Sequence, residues 1–185
     1  MFNPRAMSLV AMIACAAAAR VIPHPWNFTP IGAMCLFGGA YFLRAWAAFL
    51  VPLAALFISD VVLYLVLYGN QGWGVTTMKY HFFALTVLIG MTLRNRVTFG
   101  RVTAAAIGAS VMFFLLSNFH VWLGSTRYPQ TPAGLLACYV AALPFAMNML
   151  AGNLVYCGVM FGGWELLARR WPALATPALV PAPVK

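Results

Sequence analysis

The sequence has very little charge, and almost none of it is negative. Among 185 residues, 7% are charged, and the two acidic residues, Asp60 and Glu165, stand against eleven Lys and Arg. Hydrophobic residues make up 64% of the chain. Because so few polar side chains cannot cover the surface of a soluble globule, this composition excludes a soluble domain. The chain is therefore expected to be a polytopic membrane protein.

The sequence also lacks the motifs of the common catalytic and cofactor-binding classes. It contains no Walker motif, no Gly-rich phosphate loop that opens a helix, and no paired His on a helix face for haem or zinc. Ser59 has no His near it in sequence that could activate it as a nucleophile. We therefore expect a protein that is not an enzyme and has no intrinsic cofactor. Any uphill transport must then draw its energy from partner chains or an ion gradient.

The cysteines and the basic residues exclude two further kinds of site. Lys and Arg are scattered singly or in pairs, so the net charge of +9 reflects topology and lipid headgroups and does not indicate a nucleic-acid partner. The cysteines stand singly in apolar runs, without the close pairs of metal or redox motifs. We expect these four to be packing residues: Cys15, Cys35, Cys138 and Cys157.

Long apolar runs predict an all-α membrane protein with a bundle of six transmembrane helices. A spanning helix needs about 20 apolar residues. The last run exceeds one span and is interrupted by Pro144 and Asn148, so a count of seven stays open. The six runs are residues 7–22, 30–42, 45–68, 77–93, 102–123 and 133–167.

The distribution of basic residues favours six spans with both termini in the cytoplasm. Lys and Arg in short loops mark the cytoplasmic side. With the N-terminus inside, three of the eleven basic residues lie outside, namely Arg20, Lys79 and Arg127. The other eight lie in the cytoplasm: Arg5, Arg44, Arg94, Arg96, Arg101, Arg169, Arg170 and Lys185.

The chain divides into one membrane domain and a short tail. Residues 1–171 contain all the apolar runs, whereas residues 172–185 are rich in Pro and Ala and are expected to form a disordered cytoplasmic tail. The first run leads directly into further apolar segments, which indicates a true span and not a cleaved signal peptide. For a bacterial source, the expected location is the inner membrane, as a multi-pass protein.

Asp60 lies within the apolar run 45–68. A charge at the bilayer centre costs about 2.5 to 3.5 kcal/mol on insertion scales, so such residues usually face a bundle interior or a polar cavity. Two interpretations stay open. Asp60 is either a helix-end residue paired with a backbone group or a nearby Lys, or part of a ligand site.

The first external loop contains His24, Trp26 and Asn27 between prolines that forbid a continuous helix. Its polar groups and its flat aromatic surface suit a segment that closes over a ligand. The alternative is a rigid proline turn, with Asn27 or Thr29 capping the helix that follows.

The second external loop, residues 69–76, is Gly-rich and has Trp73 at its centre. The helix after it opens with Lys79, Tyr80 and His81, the strongest polar cluster in the chain. Because neutral imidazole is a common metal ligand, His81 could bind the metal of a ligand directly. It could equally be an interfacial side chain beside the lipid headgroups.

The third external loop offers a second set of candidate ligand-binding residues. Asn118 lies near the end of the preceding helix, and Arg127 and Tyr128 lie in the loop. A guanidinium is a planar fork of donors that can recognise a carboxamide, carboxylate or phosphate, although a simple interfacial anchor is as consistent with the pattern. In the last run, Asn148 and Asn153 would face different sides of an ideal helix.

The first apolar run has two small residues four apart, Ala14 and Ala18. This spacing lets two membrane helices approach closely. The face is expected either to dock another membrane protein or to pack tightly within the chain.

Several segments together resemble the substrate-binding (S) components of energy-coupling factor (ECF) transporters, in particular the solitary vitamin B12 (cobalamin) transporter family. The most specific of them is RVIPHPWNFTPIGA at residues 20–33. The others are LFGGAYF at 36–42, SNFHVWLG at 117–124, YPQTPAGL at 128–135 and LPFAMN at 143–148. The similarity runs from about residue 20 to residue 171.

The resemblance implies a six-helix bundle that binds a vitamin at its outer face and carries it inward by toppling in the membrane. The implied ligand is cobalamin or another corrinoid such as cobinamide. It also implies a possible coupling subunit with two ATPases, docked through small residues of the first helix, where Ala14 and Ala18 lie. Solitary members transport without a dedicated coupling module.

Some cobalamin-transporting relatives hold the cobalt through a cysteine near the outer face, and this chain has no Cys between Cys35 and Cys138. His81 is the best replacement ligand for the cobalt, with His24 next. A carrier of another small metabolite, an intramembrane enzyme and an assembly factor stay open as alternatives. The complete set of expected ligand-binding residues is His24, Trp26, Asn27, Asp60, Trp73, Tyr80, His81, Asn118, Arg127 and Tyr128.

Overall fold

The computed structural model describes residues 3–66 and 78–174, and within them all regular structure is helical. There are six α-helices and two short 3-10 turns, Ala19–Val21 and Pro172–Leu174. The helices are α1 (Pro4–Ala18), α2 (Ile31–Tyr41), α3 (Ala45–Val66), α4 (Met78–Met91), α5 (Phe99–Gly124) and α6 (Pro132–Arg170). The predicted all-α class and the order of six helices are confirmed.

Local sequence accounts for where two of the helices begin. Asn3 caps α1 by accepting a hydrogen bond from the backbone N–H of Arg5, and Pro4 follows it at the first helical position. Thr131 caps α6 in the same way through the N–H of Gly134, again with a proline next. A polar cap before a proline favours a helix start because the fixed φ of proline suits the first turn and its missing N–H costs nothing there.

Four helices are long and apolar enough to cross a membrane, and they start at Pro4, Ala45, Phe99 and Pro132. The other two, α2 with 11 residues and α4 with 14, are shorter. At 1.5 Å per residue they extend about 16 and 21 Å, against about 30 Å for the hydrocarbon core of a bilayer. The chain thus has the character of a multi-pass membrane protein, with two helices shorter than a full span.

Helix α2 is the centre of the fold. Each of its eleven residues is buried, and it contacts α1, α3, α4, α5 and α6. The ring of Phe37 lies edge-on to the rings of Phe161 and Trp164 of α6, with centroid distances of 5.4 and 6.1 Å. Because α2 has no exposed face, its whole surface must be apolar, which explains the near-continuous apolar sequence of this run.

Helices α2 and α4 cross with their backbones in contact. A Cβ built on Gly39 would collide with the carbonyl oxygen of Val87, and one built on Gly90 would collide with the carbonyl oxygen of Leu36. Two glycines therefore let the two backbones touch. At the carboxyl end of α2, Arg94 donates from Nε to the Gly39 carbonyl and from a terminal nitrogen to the Phe42 carbonyl, both at 2.9 Å.

Helix α6 is continuous over 39 residues, and Pro144 lies inside it. The expected interruption at Pro144 and Asn148 does not divide it into two helices, so the described part contains six helices and not seven. At 1.5 Å per residue α6 is about 58 Å long, nearly twice the hydrocarbon core.

The expected tail begins with a turn. Pro172–Leu174 forms a 3-10 turn in which Leu174 is buried, and this turn contacts α1. Residues 175–185, the rest of the expected disordered tail, lie outside the described residues.

Candidate ligand-binding site

A polar cavity of about 200 Å³ lies where α1 ends and where α2 and α4 begin. Every one of the six helices, or the turn next to it, contributes to its wall. The lining residues are Arg20, Asn27, Thr29, Ile31, Gly32, Leu56, Asp60, Lys79, Phe83, Thr86, Ala109, Phe113, Met149 and Asn153.

Asp60 is the anionic centre of this cavity. Its side chain is 6% exposed. Its Oδ1 lies 2.8 Å from a terminal nitrogen of Arg20, and its Oδ2 lies 2.8 Å from Nζ of Lys79. The hydroxyl of Tyr80 donates to the same Oδ2 at 2.9 Å. A carboxylate on α3 is thus satisfied by groups from the end of α1 and the start of α4, which links three helices.

Arg20 reaches Asp60 from the 3-10 turn that follows α1. Its other terminal nitrogen donates to the carbonyl of Leu56 at 3.4 Å and to the hydroxyl of Ser59. Ser59 in turn donates to the Leu56 carbonyl at 2.9 Å. The Nε of Arg20 is buried and has no acceptor among the described residues.

A second polar group faces the cavity from α6. Asn153 is buried and donates to Ser110 Oγ of α5 at 2.8 Å, and Ser110 donates to the Ala106 carbonyl at 2.8 Å. The amide of Asn153 occupies the space beside Gly32, where a Cβ would collide with it. Because Gly32 lies in the first turn of α2, this contact fixes the start of α2 against the middle of α6.

The loop between α1 and α2 forms one wall of the cavity. Asn27 has a φ of 64°, a left-handed conformation that Asn tolerates better than most residues. Asn148 of α6 donates to the Trp26 carbonyl at 3.0 Å, and the ring of Phe28 lies 5.8 Å from that of Tyr156. The loop is thus held along α6, and Asn27 and Thr29 reach the cavity.

Of the ten expected ligand-binding residues, Asn27 and Asp60 line the cavity, and Tyr80 contacts it through Asp60. Trp26 is 75% exposed next to Asn27. His24 is also exposed, and its Nδ1 lies 2.6 Å from the Ile22 carbonyl oxygen. Residue Trp73 lies outside the described residues, so its expected place at the site has no structural counterpart here.

His81 is exposed and is not among the cavity-lining residues. The residues of α4 that line the cavity are Lys79, Phe83 and Thr86, which recur at helical spacing on one face. Residue 81 falls between them in sequence and therefore on a different face of α4. In the described part of the chain, no three His, Cys, Asp or Glu side chains form a group that could hold a metal ion.

The residues expected near the third loop lie apart from the cavity. Asn118 is half-buried and donates to the Phe114 carbonyl of its own helix at 2.8 Å. Arg127 is exposed, and Tyr128 is half-buried in the connection between α5 and α6. The indole of Trp122, near the end of α5, donates to the Pro129 carbonyl of this connection at 2.9 Å.

Ala14 and Ala18 lie on an exposed face of α1. They belong to an apolar groove of about 510 Å³ between α1 and α3, which gives this part of the surface small side chains and a concave shape. The groove is lined by Val10, Ile13, Ala14, Ala17, Ala18, Val21, Leu50, Val51, Ala54, Ala55, Ile58, Ser59 and Val62.

Sequence reasoning missed Arg20 and Ser110 as site residues and did not place Asn153 in the cavity. A signal for Arg20 was available. The sequence has a single acidic residue within an apolar run and three cations on the same predicted side, and a buried carboxylate requires a cationic partner. No comparable signal existed for Ser110, which looks like any small residue in an apolar helix.

Among the comparisons with known proteins, the scan against protein families found a match. A family of unknown function, DUF6580, matches residues 1–174, which include every helix described above. The chain belongs to the DUF6580 family. No curated protein and no solved structure matches the chain. Because the function of this family is unknown, membership in it assigns no activity to the chain.

Proposed function

We propose that this protein is a multi-pass protein of the bacterial inner membrane that binds a small metabolite in the Asp60 cavity and carries it inward. The observation that carries the proposal is the convergence of polar side chains on one cavity inside an otherwise apolar bundle, from the turn after α1, the α1–α2 loop, α3, α4 and α6. Buried polar groups in a membrane protein are costly and usually line a substrate path or a binding site. The resemblance to S components of ECF transporters supports the same function.

The proposed orientation places the cavity on the outer side. In the structure, seven arginines lie at or beyond the opposite helix ends, and the bias of basic residues toward the cytoplasm then directs the cavity outward. These arginines are Arg5, Arg44, Arg94, Arg96, Arg101, Arg169 and Arg170. A metabolite would thus enter from outside, between the end of α1 and the starts of α2 and α4.

The size of the cavity favours a small ligand over a corrinoid. A volume of about 200 Å³ is below the roughly 300–1,000 Å³ of pockets that hold drug-sized molecules. Cobalamin is larger than such molecules. A compact vitamin or other small metabolite is therefore the first candidate.

A corrinoid is the second candidate, and one specific observation supports it. Trp26, next to the cavity-lining Asn27, presents an exposed indole that could stack on the flat apolar face of a corrin ring at the cavity entrance. His81 would coordinate cobalt only from outside the cavity. Binding of cobalamin or cobinamide with a shift of the cobalt absorption, lost in His81→Ala, would favour this candidate.

The groove around Ala14 and Ala18 supports a partner for transport. Small exposed residues four apart allow a second membrane helix to approach the backbone of α1. We propose that a coupling subunit with its ATPases, where one is present, docks there.

The test uses the purified protein in detergent and a panel of water-soluble metabolites, with cobalamin and cobinamide included. A ligand at 100 times its Kd stabilises the fold by about 2.7 kcal/mol and therefore raises the unfolding temperature. We expect at least one small metabolite to do so. The Ala109→Leu substitution, which fills the cavity, should abolish this shift.

The matched control is Ala104→Leu, which adds the same atoms to the exposed face of the same helix. It should leave the shift intact. The proposal fails if no compound of the panel stabilises the protein, or if Ala109→Leu and Ala104→Leu respond alike.

A further inference from the structure

We propose that the cavity selects a small anion and holds its carboxylate or phosphate group between Lys79 and the amino end of α2. This inference rests on the proposed function, because it names the class of molecule that the same cavity takes.

The charged groups of the cavity leave one positive charge without a counterpart. Among the described residues, these groups are Arg20, Lys79 and Asp60. Two cations and one carboxylate sum to +1. The wall around them includes apolar side chains, so the charges interact more strongly than they would in water. A monoanionic ligand brings the sum to zero, whereas a cationic ligand raises it to +2.

The oxygens of Asp60 are already engaged. Oδ1 accepts from Arg20, and Oδ2 accepts from both Lys79 and Tyr80. A cationic ligand would have to displace one of these donors. Asp60 therefore holds the two cations in place and is a poor site for a third.

Lys79 has donors left for a ligand. An ammonium group has three N–H donors, and the described residues supply one acceptor to it, Oδ2 of Asp60. The Lys79 side chain is 29% exposed and lines the cavity. At least one further N–H can thus turn toward a bound oxygen.

The amino end of α2 supplies backbone donors to the same space. Thr29, Ile31 and Gly32 line the cavity, and the N-cap residue Pro30 makes no side-chain hydrogen bond to the first turn. The first N–H groups of a helix have no intrahelical acceptor and carry about half a positive charge in total. At the other end of α2, Arg94 supplies the complementary positive charge. In membrane transporters, helix ends of this kind face anionic substrate groups.

Arg20 gives independent evidence that the cavity has more hydrogen-bond donors than acceptors. Its side chain is 9% exposed, and its Nε is buried without an acceptor among the described residues. A buried donor without a partner is costly, so an acceptor at this position is favoured. An oxygen of a bound anion is such an acceptor.

The remaining wall limits the rest of the ligand. Phe83 and Phe113 give one side of the cavity an aromatic surface, and the volume of about 200 Å³ permits only a compact molecule. The expected ligand class is a small carboxylic acid or phosphate ester with an apolar or aromatic body.

The test compares probes of nearly the same shape that differ in charge. Benzoate and phenyl phosphate are anions, benzamide is neutral and benzylamine is a cation. In titrations of the detergent-purified protein, we expect benzoate or phenyl phosphate to bind at least tenfold more tightly than benzamide, and benzylamine not to bind. Ala109→Leu should abolish this binding.

The Lys79→Gln variant should lower the affinity for the anionic probes at least tenfold and leave that for benzamide unchanged. Lys79→Arg, which keeps the charge, should retain the preference for anions. Arg127→Gln removes a cation outside the cavity and should have no effect. The comparison of probes on the unaltered protein stands even where a variant folds poorly.

The outcomes separate this inference from the proposed function. Equal or tighter binding of benzamide or benzylamine, abolished by Ala109→Leu, overturns the preference for anions and leaves the small-metabolite site standing. Binding of benzoate that Ala109→Leu does not affect overturns the location. If neither these probes nor the metabolite panel bind, both the inference and the proposed function are wrong.

Discussion

At the scale of single residues, Asp60 is the position that connects the helices around the cavity. Its carboxylate pairs with Arg20 and Lys79 and accepts from Tyr80, so α3 is connected to the end of α1 and the start of α4. The local sequence does not by itself place Arg20 or Lys79 at the cavity. Each lies near Asp60 because the carboxylate compensates its charge in a low-dielectric environment.

Replacing Asp60 by Asn should destabilise the protein strongly. The substitution leaves two neighbouring cations without their anion, and breaking a buried pair in this way costs about 3–5 kcal/mol. The free energy of unfolding in detergent is the quantity to measure. We expect Asp60→Asn to lower it by this amount.

Glu165→Gln is the matched control, because it removes the other carboxylate of the sequence. Glu165 pairs with Arg169 at 3.1 Å on the surface of α6, where its side chain is 58% exposed. An exposed pair of this kind contributes about 0–1 kcal/mol. Equal losses in the two variants would show that Asp60 has no special role in stability.

The sequence was sufficient to single out Asp60, because a carboxylate in an apolar run is rare enough to require an explanation. It was not sufficient to choose between the two open interpretations. The structure contains elements of both, since Asp60 pairs with Lys79 and also lines the cavity. Arg127 and Asn118 were equally plausible candidates, and only the three-dimensional arrangement separates them from the cavity.

At the scale of helices, the crossing of α2 and α4 requires glycine. Gly39 and Gly90 bring the two backbones into contact, and no side chain fits between them. Close backbone approach through small residues is a common way to pack membrane helices, because lipid gives no hydrophobic driving force for their association. The close contact of α2 and α4 therefore depends on these two glycines.

Gly90→Ala should destabilise the fold, because the added methyl group would collide with the backbone of Leu36. Overpacking of this kind costs about 1–3 kcal/mol. Gly108→Ala is the control, since no atom lies within 4 Å of a Cβ built there. Alanine is the better helix former by about 0.5–1 kcal/mol, so Gly108→Ala should be neutral or stabilising.

Unfolding midpoints of both variants in the same detergent check this prediction. A gain in stability for Gly90→Ala would mean that the two helices do not touch as described.

Helix positions were largely predictable because apolar runs and breakers mark them directly. The predicted run 45–68 became α3 (Ala45–Val66), and the run 133–167 became most of α6 (Pro132–Arg170). The predicted interruption at Pro144 was wrong, because α6 continues through this residue. A proline can be accommodated inside a long membrane helix when neighbouring groups satisfy the freed backbone. Burial of α2 on every side was not predictable from its composition, since a lipid-facing helix is equally apolar.

At the scale of the whole molecule, the ends of the bundle differ in character. One end has the cavity with its single carboxylate, and the other has most of the arginines. This asymmetry predicts the orientation in the membrane, with the cavity outward.

Cysteine labelling tests this orientation. In a background with the four native cysteines replaced by alanine, Gln130→Cys lies in the exposed connection between α5 and α6, and Arg96→Cys lies in the exposed connection between α4 and α5. A membrane-impermeant maleimide added to intact cells should modify the first variant and not the second. Modification of only the second would reverse the orientation and place the cavity toward the cytoplasm.

The short central helix also has a consequence for how the protein is made. Helix α2 has 11 residues, about half the length that the insertion machinery reads as a span. Its buried surface depends on α4, α5 and α6, which are synthesised after it. Complete burial of the central helix therefore requires the last helix of the chain, which has to be synthesised before α2 can reach its final surroundings.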